Sequence, residues 1–251
     1  MSADTDFVDY LLRRGDDCLV TAQRLGEWYA GAHEMEEDMA LANIALDQLG
    51  TARLLLTYAG ELEGEGRDED ALAYLRDDPQ FRNCLLAELP NGDFGHTIVR
   101  LLFLSAYQWL LYARTADATG VDERWAAIAA KARKESAYHL DHSAQWTVRL
   151  GDGTDESHRR AQDAVDRLWP YTAELFESET TDGRALDPAT LRDDWLSTVD
   201  KVLTEATLSR PADGAFEETH TGGRRGAHTA HLRDLLAELQ SLHRAHPGAT
   251  W

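Results

Sequence analysis

The sequence predicts an all-α protein: one long helical bundle with further helices appended at its C-terminal end. Three observations predict it. Six prolines in 251 residues fall at a few isolated points and leave long stretches without a breaker. Those stretches are rich in Ala, Leu, Arg and Glu, which are strong helix formers. Nowhere does the chain show the apolar–polar alternation of β-branched residues that marks strands.

The first helix is expected over about Asp6–Ala30, where Phe7, Leu11, Cys18, Ala22 and Leu25 recur mostly at three- and four-residue steps. The second, about Glu34–Leu62, has Met35, Met39, Ala42, Leu46, Leu49, Leu56 and Ala59 on the same stepping. Its opening acids (Glu34, Glu36, Glu37, Asp38) suit the positive end of a helix dipole. Ala71–Arg76 is a short helix, and Pro79–Asp93 is an ordered connection carrying Phe81, Leu85 and Leu86. A third long helix spans about Phe94–Ala118 and a fourth about Asp122–Leu150, stopped by Gly151-Asp-Gly153. Helices over about Asp155–Glu179, Pro188–Leu208 and His228–Ala245 follow. This organisation is one domain over residues 1–251, with a core bundle at about 6–150 and C-terminal helices at about 155–245. The third helix is apolar nearly all round (Leu101, Leu102, Phe103, Leu104, Tyr107, Trp109, Leu110, Leu111, Tyr112), so it needs cover on every side, from extra helices or from another subunit.

Composition excludes several function classes. The chain carries 45 acids against 25 bases, a net charge of -20. That opposes nucleic-acid binding, which needs a basic face to replace counterions, and opposes docking on an anionic membrane. Only Lys131, Lys134 and Lys201 are lysines. A surface so acidic and lysine-poor suits a high-salt solvent, and an acidic partner-binding surface has the same composition. The longest uncharged stretch, Leu101–Ala113, is too short to span a bilayer. Cys18 and Cys84 form no disulfide framework, and Met1–Asp9 has no signal-peptide pattern, so a cytoplasmic location is expected.

Long bundles host di-metal sites when two helices each supply a Glu and two others each supply Glu-x-x-His. The fourth helix comes nearest: Ile128, Ala132, Glu135, His139, His142 and Trp146 form one stripe, but Tyr138 occupies the position where the histidine belongs. His139 and His142 could face a metal together with Glu135, but the plainer expectation is that Glu135 pairs with Lys131 or Lys134 and the histidines donate inward hydrogen bonds. In the second helix Asn43 and Asp47 lie one turn apart with no histidine to join them, and Asp47 suits an arginine such as Arg24 or Arg53. The third helix has no acid from Phe94 to Ala116. A divalent pair there lacks charge compensation, so no metal is expected in this chain. His228 and His231 share a helix face behind Thr221-Gly-Gly-Arg-Arg-Gly226; a metal or a phosphate is conceivable there, and a surface loop capping a helix is the plainer expectation.

Gly15-Asp-Asp-Cys-Leu19, Gln23-Arg-Leu-Gly-Glu-Trp28, Ala40-Leu-Ala-Asn-Ile-Ala-Leu-Asp47, Leu49-Gly-Thr-Ala-Arg53, Gln80-Phe81, Pro90-Asn-Gly92 and Lys134-Glu-Ser-Ala-Tyr-His139 resemble the PaaC family, the C-type component of ring-1,2-phenylacetyl-CoA epoxidase. Leu150-Gly-Asp-Gly-Thr-Asp155, Leu168-Trp169, Glu174-Leu-Phe176, Gly226-Ala-His-Thr229 and the closing Trp251 extend the resemblance over nearly the whole chain. It implies a ferritin-like fold and a non-catalytic, structural role in a monooxygenase of aerobic phenylacetate degradation. The implied partners are a homologous A-type subunit that holds the di-iron centre, a B-type bridging subunit, and a reductase with NADPH, FAD and an iron–sulfur cluster. The resemblance also implies a contact with the CoA moiety of phenylacetyl-CoA through Gln80, Phe81, Arg82 and Asn83, with Arg82 standing where a small polar residue is usual. Asn43, Asp47, Glu135 and His139 then form a polar core network at a vestigial metal site. The competing class is a self-sufficient ferritin-like di-metal oxidase using Asp47, Glu135, His139 and His142.

Overall fold

The computed structural model describes residues 3–212 and 220–249, and among them all regular structure is helical. Trp251, part of the resemblance above, lies outside the described residues. The chain divides into two compact units, Met1–Pro90 with Gly222–Trp251, and Asn91–Thr221. Each is built on one hairpin of long helices. These hairpins supply the four long helices that a ferritin-like chain requires.

In the first unit α1 (Ala3–Gly26) packs along α2 (Met35–Glu63). Gly15 permits the close crossing: a Cβ there would stand 2.9 Å from the Leu56 side chain. Helix α2 ends at Gly64, whose left-handed φ of 70° turns its N–H back onto the Gly60 carbonyl. Two short helices follow, α3 (Glu69–Tyr74), capped by the Asp68 side chain, and α4 (Leu85–Glu88). Between them a single 3₁₀ turn, Asp78–Gln80, opens an extended segment. The last helix, α9 (Ala230–Ala245), packs on α3 and α4.

The second unit pairs α5 (Phe94–Asp117) with α6 (Glu123–Gly151). Asp93 caps the first through the His96 amide, and Asp122 caps the second through the amides of Arg124 and Trp125. Helix α7 (Asp155–Leu168) stops well short of the expected Glu179. Pro170 lacks the N–H that would continue the ladder, and Trp169–Phe176 tightens into a 3₁₀ helix. A 3₁₀ turn at Pro188–Leu191 leads into α8 (Arg192–Glu205). The Trp195 indole donates to the Phe103 carbonyl at 2.9 Å, with Phe103, Trp169 and Phe176 rings 5.3–5.7 Å from its own.

The structure decides between the two covers expected for α5 and corrects the expected face of α2. The apolar α5 is buried on nearly every side by its own chain, with α6, α7 and α8 packed against it. It is therefore not a surface awaiting a partner. On α2 the buried face is Leu41, Ile44, Gln48, Thr51, Ala52, Leu55, Leu56, Tyr58 and Ala59. Met35, Met39, Leu46 and Leu49, placed on the core stripe by their spacing, face outward. Helix α2 is apolar on both sides, so spacing alone picks the wrong one.

Leu102 is wholly buried in α5. Leu102→Ala should destabilise the chain by about 2–5 kcal/mol, measured by denaturant unfolding. A cost below about 1 kcal/mol would show that α5 is not the packed centre of its unit.

Candidate functional site

The densest polar cluster lies in the first unit, where α1, the 76–88 segment and the 222–229 loop meet. Three buried carboxylates organise it: Asp16 (0% exposed), Asp17 (3%) and Glu88 (0%). Each takes one cation and one backbone amide. Asp16 pairs with the Arg76 guanidinium and accepts the Arg82 N–H at 2.8 Å. Asp17 takes Arg224 on both oxygens, at 2.8 and 2.9 Å, and the Cys84 N–H at 2.7 Å. Glu88 takes the His228 Nδ1 at 2.7 Å and the Thr229 N–H at 2.6 Å. One-to-one pairing is what buried charge demands, because an uncompensated ion costs several kcal/mol.

The local sequence explains the geometry. Phe81 and Cys84 have extended backbone, so the amides of Arg82 and Cys84, two residues apart, turn the same way. They meet two consecutive helix residues, Asp16 and Asp17. Across the segment lies the glycine-rich loop. A Cβ on Gly223 would stand 2.4 Å from the Asn83 carbonyl, and one on Gly226 (φ 80°) 2.2 Å from that of Pro79. Arg224 also donates to the carbonyls of Arg13 and Arg82, both at 3.1 Å. The loop is thus a buried clamp and not the expected surface cap. Its Arg224 is spent on Asp17 and cannot serve a phosphate.

His228 is held between two acceptors, Glu88 and the Phe81 carbonyl at 3.0 Å. Only an imidazolium donates from both nitrogens. Burial works against the charged ring. The hydrogen bonds to Glu88 and Phe81, with the charges of Glu88 and Asp16, outweigh it and raise the His228 pKa above the ordinary 6.5. His231 is exposed and does not converge with it.

The residues singled out from the sequence are placed as follows. Of the four implied in a CoA contact, Phe81 and Asn83 are 0% exposed. The Phe81 ring lies 4.2 Å under the Arg76 guanidinium, and Asn83 donates to Glu88 at 2.8 Å. Both side chains face inward. Gln80 is exposed, and Arg82, 3.2 Å from Asp9, is half-buried. In α2, Asn43 is exposed, not in the core, and Asp47 is half-buried. Arg24 donates to the Glu88 carbonyl at 2.7 Å and to Glu27 at 2.6 Å, while Arg53 pairs with Glu69 at 3.2 Å. In α6, Glu135 stands 3.1 Å from Lys131 and His139 is buried. Tyr138, half-exposed, lies beside the ring of His142.

The donor set does not fit a di-iron centre. Helix α5 offers no carboxylate before Asp117, and Glu135 is engaged by a lysine. Among the described residues no three His, Cys, Asp or Glu side chains converge as metal ligands. Nor is any helix there long and apolar enough to cross a membrane. The sequence reading misses Arg76, Glu88 and Arg224, together with the structural roles of Asp16, Asp17 and His228. No local signal marks them: at 100° per residue Asp16 and Asp17 both lie off the stripe of Phe7, Leu11, Cys18, Ala22 and Leu25, and their burial comes from the segments packed on that side.

Fold and site thus define a helical protein in which three buried acids, Asp16, Asp17 and Glu88, hold backbone amides. The chain belongs to the phenylacetic acid catabolic protein family, whose model matches residues 1–251. It is 50% identical over 248 residues, 96% of its length and 98% of the relative's, to the C-type component of 1,2-phenylacetyl-CoA epoxidase from Escherichia coli (strain K12).

Two outcomes follow from the clamp. Arg224→Ala should cost about 3–5 kcal/mol in chemical denaturation, by leaving Asp17 buried and unpaired, and Arg224→Lys should recover only part of it because a lysine cannot bind both oxygens. The His228 pair stabilises fully below pH 6.5, where the ring is charged in the folded and unfolded chain alike, and that stability is lost as pH rises through the higher folded value. An NMR titration placing His228 below 6.5 would contradict the charged pair.

Proposed function

We propose that this chain is a structural, non-catalytic member of a phenylacetyl-CoA epoxidase assembly in aerobic phenylacetate degradation. The di-iron centre lies on a homologous A-type subunit, and B-type and reductase subunits complete the assembly; NADPH, FAD and iron–sulfur chemistry belong to the reductase. The setting is cytoplasmic, with neither nucleic acid nor membrane as a partner. The family and the relative from Escherichia coli support this reading, and one observation carries it to the surface of the molecule. Helix α2 leaves Met35 (75% exposed), Met39 (60%), Leu46 (64%) and Leu49 (44%) in solvent along a single stripe. A stable monomer rarely leaves so much contiguous apolar surface uncovered. Asn43 flanks the stripe and Arg53 ends it one turn beyond Leu49, as polar groups at the rim of an interface do.

In this assembly the buried clamp keeps the 80–83 segment rigid. Gln80 and Arg82 are the two side chains of that segment with solvent access, so they carry any contact to the CoA moiety, with Phe81 and Asn83 acting only through the backbone they anchor. Glu135 and His139, both on α6, are polar remnants of a ligand set that the A-type partner retains.

Co-expression with an A-type subunit tests this. The wild-type chain should co-purify as one heteromeric species, with iron on the A-type partner. Met39→Glu with Leu46→Glu should abolish the complex while leaving the melting temperature of the isolated chain within about 2 °C, because both side chains are already in solvent. A monodisperse monomer that ignores the A-type partner, or stoichiometric iron in this chain that Glu135→Ala removes, would sink the proposal.

A further inference from the structure

Three arginines of this acidic chain gather around one cavity of the second unit. Arg159, Arg160 and Arg167 of α7 line, with His96 of α5, a cavity of about 290 Å³. We propose that this cavity binds a phosphoryl anion, as free phosphate or as the phosphate monoester of a nucleotide. It lies wholly within one unit and does not rest on the assembly reading.

The sequence builds the site from a helix face. Residues 159, 160, 163 and 167 fall within about a quarter-turn of arc at 100° per residue, so one side of α7 turns its guanidinium groups to the N-terminal end of α5. That end carries the positive pole of a 24-residue helix. Gly92 (φ 62°) forms the floor, and a Cβ there would stand 3.1 Å from the His96 ring.

The carboxylates present do not use up this charge. Asp93 spends one oxygen on the His96 amide, and the other is 3.6 Å from Arg160. Arg159 and Arg160 share Glu156, and Arg159 also reaches Asp163 at 3.0 Å. All are pairs between side chains more than 40% exposed, where solvent screening makes ion pairs weak and easily rearranged. Each guanidinium has five donors; Arg159 uses all three nitrogens on Glu156 and Asp163 and Arg160 uses its Nε on Glu156, so a ligand draws on their remaining N–H groups and displaces these exposed pairs. Arg167 forms no ion pair or hydrogen bond among the described residues and is exposed. Burial, then the Arg100 charge, holds the His96 pKa down at about 4, with Arg167 acting in the same direction and Asp93 opposing. A neutral imidazole therefore meets the ligand as a single donor, and an arriving dianion favours its second proton. At about 290 Å³ the cavity has room for a phosphoryl group with its adjoining sugar.

The intact chain, in phosphate-free buffer at low ionic strength, is titrated with inorganic phosphate and separately with adenosine 3′,5′-bisphosphate, followed by calorimetry and by the His96 imidazole resonances. Saturable binding with an upward shift of the His96 midpoint is expected. Arg167→Gln and Arg159→Gln should each weaken it by about tenfold, the loss of one charge-assisted contact. Arg233→Gln, an exposed arginine of the other unit, should leave it unchanged. Equal affinity for both probes assigns the site to the phosphoryl group alone, and tighter binding of the bisphosphate assigns it to a nucleotide; either supports the proposal. No saturable binding of either probe, or binding unaltered in both α7 variants with unchanged melting temperatures, overturns it.

Discussion

The bidentate pair between Asp17 and Arg224 is the constraint on which the first unit depends. It joins residues 207 apart in sequence, with side chains 5% and 1% exposed. The pair does more than neutralise two buried charges. Through Asp17 it fixes the Cys84 amide, and through Arg224 it fixes the carbonyls of Arg13 and Arg82. Asp16 and Glu88 repeat the device on either side, so an extended segment without regular secondary structure is held with the rigidity of a core element. Extended backbone needs such partners, because its polar groups have no ladder of their own.

This use of carboxylates bears on function. Acids that serve chemistry sit in clefts, poised between protonation states or open to a metal. Here each buried acid of the clamp already holds a cation and an amide. The acids of the clamp thus hold backbone in place, while Met35, Met39, Leu46 and Leu49 form an exposed apolar stripe on α2.

Much of the architecture is legible in the sequence. Helix starts at Asp93, Asp122 and Thr154 and the stop at Gly151-Asp-Gly153 follow from local capping chemistry, and the structure places α5, α6 and α9 within two residues of their expected bounds. Where tertiary packing decides, spacing fails. Helix α2 carries leucines on both faces, so periodicity does not say which side is buried. The end of α7 depends on Pro170, whose effect outweighs the apolar run that follows it. The clamp is illegible because its parts are far apart: nothing local says that Asp17 meets Arg224, or that the Gly223 and Gly226 backbone lies against residues 79–83. His228 is visible as a histidine but not as an imidazolium between Glu88 and Phe81.

The central claim is that the buried carboxylates are committed to backbone, and amide hydrogen exchange at their partners tests it most directly. The N–H groups of Arg82, Cys84 and Thr229 each donate to one of the three acids. In the full-length chain they should exchange only with global opening, as slowly as amides in the middle of α1 and α2, although none lies inside a long helix. Asp17→Asn should release Cys84 selectively. Exchange of these three amides at the rate of ordinary surface loops would show that the clamp is not a fixed part of the structure and would contradict the claim.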